Sequence, residues 1–332
     1  MKSLIQKLVE TTGPSGYESK VRDLVLTEIK EHVDQTRIDG LGNLIAIKGE
    51  KSDKGKTIML AAHLDEIGII VTHVDDNGFA RFTTIGGVYA RNLAGGRVRF
   101  LNGSSGVIGI ESTITRNSVG NFDKMFIDLG VSNKSQCPVS IGDVAAFERA
   151  FTDLGDRLVS KAMDDRIGVA ILIETIKRIK GGPNQIIAVF TTQEEVGLRG
   201  ATAAAYGSNP DLGIAIDVTL SGDTPKDDSI AVGLGKGPAI KIKDSGMIAD
   251  PKVVSWMETG AKAADIPYQR EILVGGTTDA RAIQVTRSGV PSGCLSIPCR
   301  YVHSPSEMTD INDVQNAVTL LSHNLEQPII TI

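Results

Sequence analysis

Side chains that bind metals or move protons gather at five places in this sequence. His63-Leu64-Asp65 follows the apolar run TIMLAA, and Glu194-Glu195 follows IIAVFTT and Gln193. Asp217 ends LGIAI, and His303 comes shortly after CLSIP. The fifth place is KAMDDRIG, where Asp164 and Asp165 stand immediately before an apolar helical stretch. Short apolar runs of this kind read as buried strands, and open α/β sheets bind ligands beyond the carboxyl ends of their strands. Two histidines and several carboxylates therefore converge on one edge of one sheet.

Unpaired carboxylates packed together repel one another and are costly to desolvate. A pair of divalent cations resolves that conflict. Ions in two-metal sites lie about 3.5–4 Å apart, so one carboxylate usually has to bridge them. With two histidines and three carboxylates, each ion can take one histidine, one terminal carboxylate and a share of a bridging aspartate. One acid is left over as a general base. Nitrogen and oxygen donors without thiolate suit zinc, cobalt or manganese.

Each residue also has a plainer reading. His63 could be a hydrogen-bonded histidine near a strand end, and His303 a surface-loop histidine. Glu194-Glu195 could be a solvated pair beginning a helix, Asp164-Asp165 an N-terminal cap, and Asp217 the end of a strand. Their convergence favours a metal site. His32, His73 and His323 have no such companions and read as bland.

The elements that must position these groups follow from periodicity. The first helix carries Leu4, Ile5, Leu8 and Val9 on one face and stops by Gly13-Pro14; the second buries Val21, Leu24, Val25 and Ile29. Strands begin at Asn43 and Thr57. Residues 70–157 then lack a helical period and show short β-like runs broken by glycine or asparagine, such as GFARFTTIGG and DKMFIDLG. That spacing predicts a small β-barrel or sandwich. From 158 the α/β rhythm returns, with a helix carrying Val169, Leu172, Ile173, Ile176 and Ile179 and a last helix carrying Val314, Val318, Leu321 and Leu325. The expected architecture is an α/β catalytic domain with a doubly wound mixed sheet, over 1–69 and 158–332, and an inserted all-β domain over 70–157.

Bulk properties narrow the field. With 35 basic and 40 acidic residues and no long basic run, a nucleic-acid surface has no support. No run approaches the roughly 20 apolar residues of a membrane span. The start lacks a signal-peptide core, so the compartment is expected to be the cytoplasm. Cys137, Cys294 and Cys299 form no CxxC pair and read as free thiols.

At the chemical residues the sequence resembles the M42 aminopeptidases, relatives of the wider di-zinc exopeptidase group. The similarity runs through AAHLDEIGIIV at 61–71, KAMDDRIGVA at 161–170, TTQEEVGLRGA at 191–201, AIDVTLSGDTP at 215–225, GGTTDA at 275–280 and YVHSPSE at 301–307. By that resemblance His63 and Asp217 hold one metal, Glu195 and His303 the other, and Asp164 bridges them. It makes Glu194 the general base and later the acid, with a metal-bridging water as nucleophile, while Asp65 orients His63. Asp165 follows the bridging aspartate through a strained, often cis, peptide. Gly276, Thr277 and Asp279 are implied as substrate contacts, although this stretch could be only a loop capping a helix. The resemblance further implies short peptide substrates and self-association into dimers or a tetrahedral dodecamer. One departure stands out. The family often has Trp-Asp-Pro-Arg after a glycine pair, whereas Gly86-Gly87 here precedes Val88-Tyr89-Ala90-Arg91.

The leading expectation is a zinc- or cobalt-dependent aminopeptidase, with manganese as a further option. A related metal-dependent deacylase or carboxypeptidase could use the same ligands. A glycoside hydrolase working with two carboxylates would have no need of the two histidines. A metal-storage or assembly scaffold would have no need of Glu194.

Overall fold

The computed structural model describes residues 1–112, 120–227 and 229–329; part of the inserted segment, 113–119, lies outside them. An eleven-stranded mixed sheet forms the larger unit. Its order is Gln35–Ile38, Leu44–Lys48, Gln185–Thr191, Thr57–His63, Leu212–Leu220, Ser292–Arg300, Glu307–Asp310, Arg157–Ser160 and Thr152–Asp153. Ala239–Lys243 and Gln269–Ile272 branch from Ser292–Arg300. The four central strands, from Gln185–Thr191 to Ser292–Arg300, run parallel. Their side chains alternate between two cores, as a period of two dictates. Ile58, Leu60 and Ala62 face the large core, together with Ile186, Ala188 and Phe190. Met59, Ala61, Ile187 and Val189 face a smaller one on the other side.

Helices cover both faces. Lys2–Glu10, Ser19–Ile29, Met163–Arg178, Pro251–Ala263 and Ile311–Leu325 contribute to the large core. Arg199–Ser208 and Asp279–Gln284 cover the other face through Ala204, Ala205 and Ile283. The apolar stripe of Lys2–Glu10 is Leu4, Ile5, Leu8 and Val9, all buried. Three helices begin on side-chain caps from Asp250, Thr278 and Asp310, each accepting a backbone N–H two residues on.

The inserted unit is a closed six-stranded barrel, in the order Gly68–Val74, Ala80–Ile85, Met125–Asp128, Ser105–Ile110, Arg97–Phe100 and Val144–Phe147. It has its own core, with Ile69, Val71, Phe82, Val98, Phe100, Ile127 and Phe147. Closure leaves its strands no free edge. The insertion was expected over 70–157. The barrel strands themselves run from Gly68 to Phe147, and Thr152–Asp153 already pairs with Leu158–Val159 in the main sheet. The chain thus leaves the main sheet at His63 and re-enters it shortly before Asp164. Both residues therefore lie beside the crossings between the two units. Among the described residues no helix is long and apolar enough to cross a membrane.

Candidate metal centre

Strand register sets the first part of the site. His63 ends its strand level with Thr191 of the neighbouring strand, so Glu194 and Glu195 fall just beyond the same edge. On the other side Ala215 pairs with Ala61, which brings Asp217 level with His63. Asp164 and Asp165 are joined by a cis peptide and have non-helical backbone within the first turn of Met163–Arg178. His303 follows the strand Ser292–Arg300 in a left-handed conformation, with φ of 60°.

Two groups of donor atoms result. His63, Asp164 and Asp217 each offer one ligand atom, and these atoms lie within 4.8 Å of one another. Asp164, Glu195 and His303 form a second such group, so Asp164 belongs to both. Its Oδ1 lies 3.0 Å from His63 Nε2 and its Oδ2 lies 3.4 Å from His303 Nε2. Glu195 Oε2 is 3.3 Å from the same nitrogen of His303, and Asp217 Oδ1 is 3.9 Å from His63 Nε2.

Hydrogen bonds fix these orientations. His63 Nδ1 donates to the Asp65 carbonyl at 3.1 Å, which leaves Nε2 to face Asp164. The fully buried Asp65 carboxylate accepts the Ser15 hydroxyl at 2.6 Å and the backbone N–H groups of Glu194 and Glu195. Asp165 accepts the N–H of His63 at 3.2 Å and of Gly168 at 3.0 Å, so its carboxylate is used in holding backbone. A residue whose part sequence reasoning missed is Glu307. It is 1% exposed and accepts the N–H of Asp164 at 3.0 Å and of His303 at 2.8 Å, tying together ligands from distant parts of the chain. In the sequence it stands at the end of YVHSPSE, and nothing in its spacing points to Asp164.

The electrostatics favour added positive charge. Burial, with the nearby Asp164 carboxylate, pushes Asp217 well above the usual carboxylate range. Burial likewise raises Glu194, with help from Asp217, and raises Asp165. Burial acts against charge on the histidines too, but bonds with Asp164 and Asp65 overcome it and raise His63 well above its ordinary value. His303, in contact with Asp164 and Glu195, is pushed up to about 12. Asp164 is the exception: burial acts to raise it, but its bonds with His303 and His63 prevail and hold its carboxyl well below the usual carboxylate range. Glu195 Oε1 is also buried without a hydrogen-bond partner among the described residues. A donor set of two imidazoles and three carboxylates, with excess negative charge and an orphaned carboxylate oxygen, fits divalent cations.

The site opens into a cavity of about 730 Å³. Glu194, Gly276, Thr277, Leu220, Leu273 and Arg281 line it together with the donor residues. Asp279 is absent from that wall. It is 3% exposed beneath it, accepting the Thr191 hydroxyl at 2.6 Å, and burial raises it to about 6. Cys294 and Cys299 are buried free thiols and Cys137 is half-buried, all outside both donor groups.

The chain is similar to known peptidases over nearly its whole length. A family model described as M42 glutamyl aminopeptidase matches residues 42–320. A protein of Acetivibrio thermocellus, provisionally named an aminopeptidase, is 46% identical over 97% of each chain. The solved structure of an aminopeptidase from the archaeon Desulfurococcus kamchatkensis superposes with a TM-score of 0.94. It is 41% identical and covers 98% of this chain and 94% of its own. The Pyrococcus horikoshii TET1 peptidase, which can assemble into a tetrahedron or a large octahedral shell, superposes with a TM-score of 0.85 at 33% identity. That match covers 97% of this chain and 98% of the TET1 chain.

Proposed function

The chain belongs to the M42 peptidase family, and from that premise we propose that it is a two-metal aminopeptidase that trims short peptides from their amino ends. The observation carrying this reading is the sharing of Asp164 between two donor groups, one with His63 and Asp217 and the other with Glu195 and His303. In this reading those five residues hold the ions, with zinc or cobalt suiting the donors and manganese as a further candidate. When bound, the ions supply Lewis acidity toward the scissile carbonyl and lower the pKa of the attacking water.

The protein's own groups do the rest. Glu194 lines the cavity beside the donors without belonging to either group, which suits it to take the proton of the attacking water and pass it to the departing amine. Asp65 keeps His63 Nε2 turned inward through its carbonyl and holds the Glu194-Glu195 turn through its carboxylate. Gly276 and Thr277 form part of the wall against which the first residue of the peptide lies, and Asp279 supports that wall from behind. The tetrahedron or large octahedral shell described for the TET1 relative supports self-association of this chain; dimers or a tetrahedral dodecamer are the states we expect of it.

The test is an assay of metal-stripped and metal-restored protein on amino-acyl p-nitroanilides, with N-acetylated copies and cellulose oligomers alongside. Metal-dependent release from free-amine substrates alone is expected, and the panel reports the preferred side chain. Cleavage of blocked substrates or sugars, or indifference to metal removal, would overturn the reading.

A further inference from the structure

The two histidines of the centre are oriented in different ways. His63 has a polar partner at its outer nitrogen, the Asp65 carbonyl at 3.1 Å from Nδ1. Metal-binding histidines usually have such a partner, because it fixes the tautomer and the ring plane. His303 turns Nε2 toward Asp164 and Glu195, but its Nδ1 makes no hydrogen bond among the described residues. Glu307 holds the backbone N–H of His303, not its ring.

What meets that ring comes from the inserted barrel. A Cβ added at Gly87 would lie 2.7 Å from His303 Nδ1 and 2.9 Å from Cε1, so the outer edge of the imidazole fills the space a side chain at this position would take. The neighbouring Gly86 turns sharply at φ of 76°, and a Cβ there would come within 3.0 Å of Glu195 Oε2. Tyr89 places its ring 6.4 Å from the His303 ring, centroid to centroid. Asn92 donates to the His303 carbonyl at 3.5 Å. All four residues lie on the loop after the barrel strand Ala80–Ile85, and none approaches His63, Asp164 or Asp217 in these contacts.

We infer that the barrel loop Gly86–Asn92 is the orienting element of His303, substituting steric contact for the missing hydrogen bond, and so sets the affinity of one of the two metal positions. This inference rests on the two-metal reading above. Gly87 is a positioning residue, because it acts through His303. Its backbone is not in the left-handed region, so alanine is conformationally allowed there, and the added methyl group meets the imidazole.

The experiment is a cobalt titration of the metal-free protein, followed by visible absorption and equilibrium dialysis, on wild type, Gly87→Ala, Asn92→Ala, His303→Ala and the Gly87→Ala/His303→Ala double variant. Thermal melting of each metal-free variant accompanies it. Wild type is expected to bind two ions. Gly87→Ala is expected to keep one at wild-type affinity and weaken the other by roughly ten- to hundredfold, the range for lost supporting contacts, with the metal-free melting temperature unchanged. Asn92→Ala, which cannot clash, weakens the same position by a smaller factor. In the His303→Ala background Gly87→Ala has no further effect on the remaining ion, because the pair acts as a unit. Equal weakening of both positions, unaltered binding by Gly87→Ala, or further weakening in the double variant would overturn the inference. Uptake of a single ion by wild type would instead remove the two-metal reading beneath it.

Discussion

The Asp65 carboxylate accepts the backbone N–H of Glu194 at 3.0 Å, while the carbonyl of the same residue accepts His63 Nδ1 at 3.1 Å. One residue thus fixes a metal-ligand candidate and the candidate base relative to each other. Asp65→Asn keeps one acceptor oxygen but turns an NH₂ group toward a backbone N–H. Since Asp65 is fully buried, the mismatch cannot be relieved by water. The expected result is a fall in kcat/KM of roughly ten- to hundredfold. Ser15→Ala removes only the hydroxyl bonded to Asp65 and costs about 1 kcal/mol of stability with little change in kcat. Steady-state kinetics together with urea unfolding of both variants check this pair of outcomes.

Adjacent residues Glu194 and Glu195 are expected to separate base from ligand. Glu195 Oε2 lies with Asp164 and His303 in a donor group, and Glu194 lies in neither. Glu194→Gln should therefore retain both ions and lose roughly 10²- to 10⁴-fold in kcat, the usual worth of general acid–base catalysis. Glu195→Gln should lose or weaken one ion. Metal content measured beside kcat decides it, and metal loss in Glu194→Gln would remove that residue from the base role.

The sequence made the strand-end chemistry readable because parallel strands announce themselves. TIMLAA, IIAVFTT and LGIAI are buried on both faces, and the polar residue after each run marks a carboxyl end. Glycine-broken β runs likewise announced an all-β insertion. A barrel-like insertion was expected and is found, but its strand order was not readable, because Gly68–Val74 pairs with Val144–Phe147 across more of the chain than any local pattern spans. The edge strand Gln35–Ile38 escaped for a different reason: all four of its residues are exposed, so it has no alternation to detect. Glu307 reaches Asp164 across 143 positions of sequence, and Gly87 meets His303 from the barrel, so local sequence around either residue carries no trace of that partner.

The turn bearing Glu194 is anchored from below by Asn43, which is fully buried. Its Oδ1 accepts the Thr192 N–H at 2.9 Å and its Nδ2 donates to the Gly200 carbonyl at 2.9 Å. A Cβ at Gly200 would come within 2.3 Å of Asn43 Oδ1 and 2.4 Å of the Thr192 carbonyl oxygen. Because much of that obstruction is backbone, Gly200→Ala is expected to cost about 1–3 kcal/mol and to lower kcat by shifting the turn. Gly207 lies in the same helix with open space around it. Gly207→Ala is the matched control, expected to be neutral or slightly stabilising. Urea midpoints that move equally in the two variants would sink the explanation.

The acid limb of stability is expected to depend on a pair outside the metal centre. Arg300 donates to Asp223 through Nε and Nη2, each at 2.8 Å, and holds its carboxyl well below the usual carboxylate range; Ser221 and the Leu234 N–H add to the effect. A carboxyl depressed in the folded state stabilises the fold at every pH above its unfolded value, near 3.9. That contribution disappears as pH falls through the folded value, where both states become protonated. Asp223→Asn should therefore be less stable than wild type at pH 7, by about 1 kcal/mol once solvent screening of this partly exposed pair is allowed for. The difference should hold down to about pH 5 and shrink below about pH 4. Urea unfolding of both proteins between pH 7 and pH 3.5 measures it. A gap that widened toward acid would mean that the native carboxyl is raised instead, and that Arg300 does not govern it.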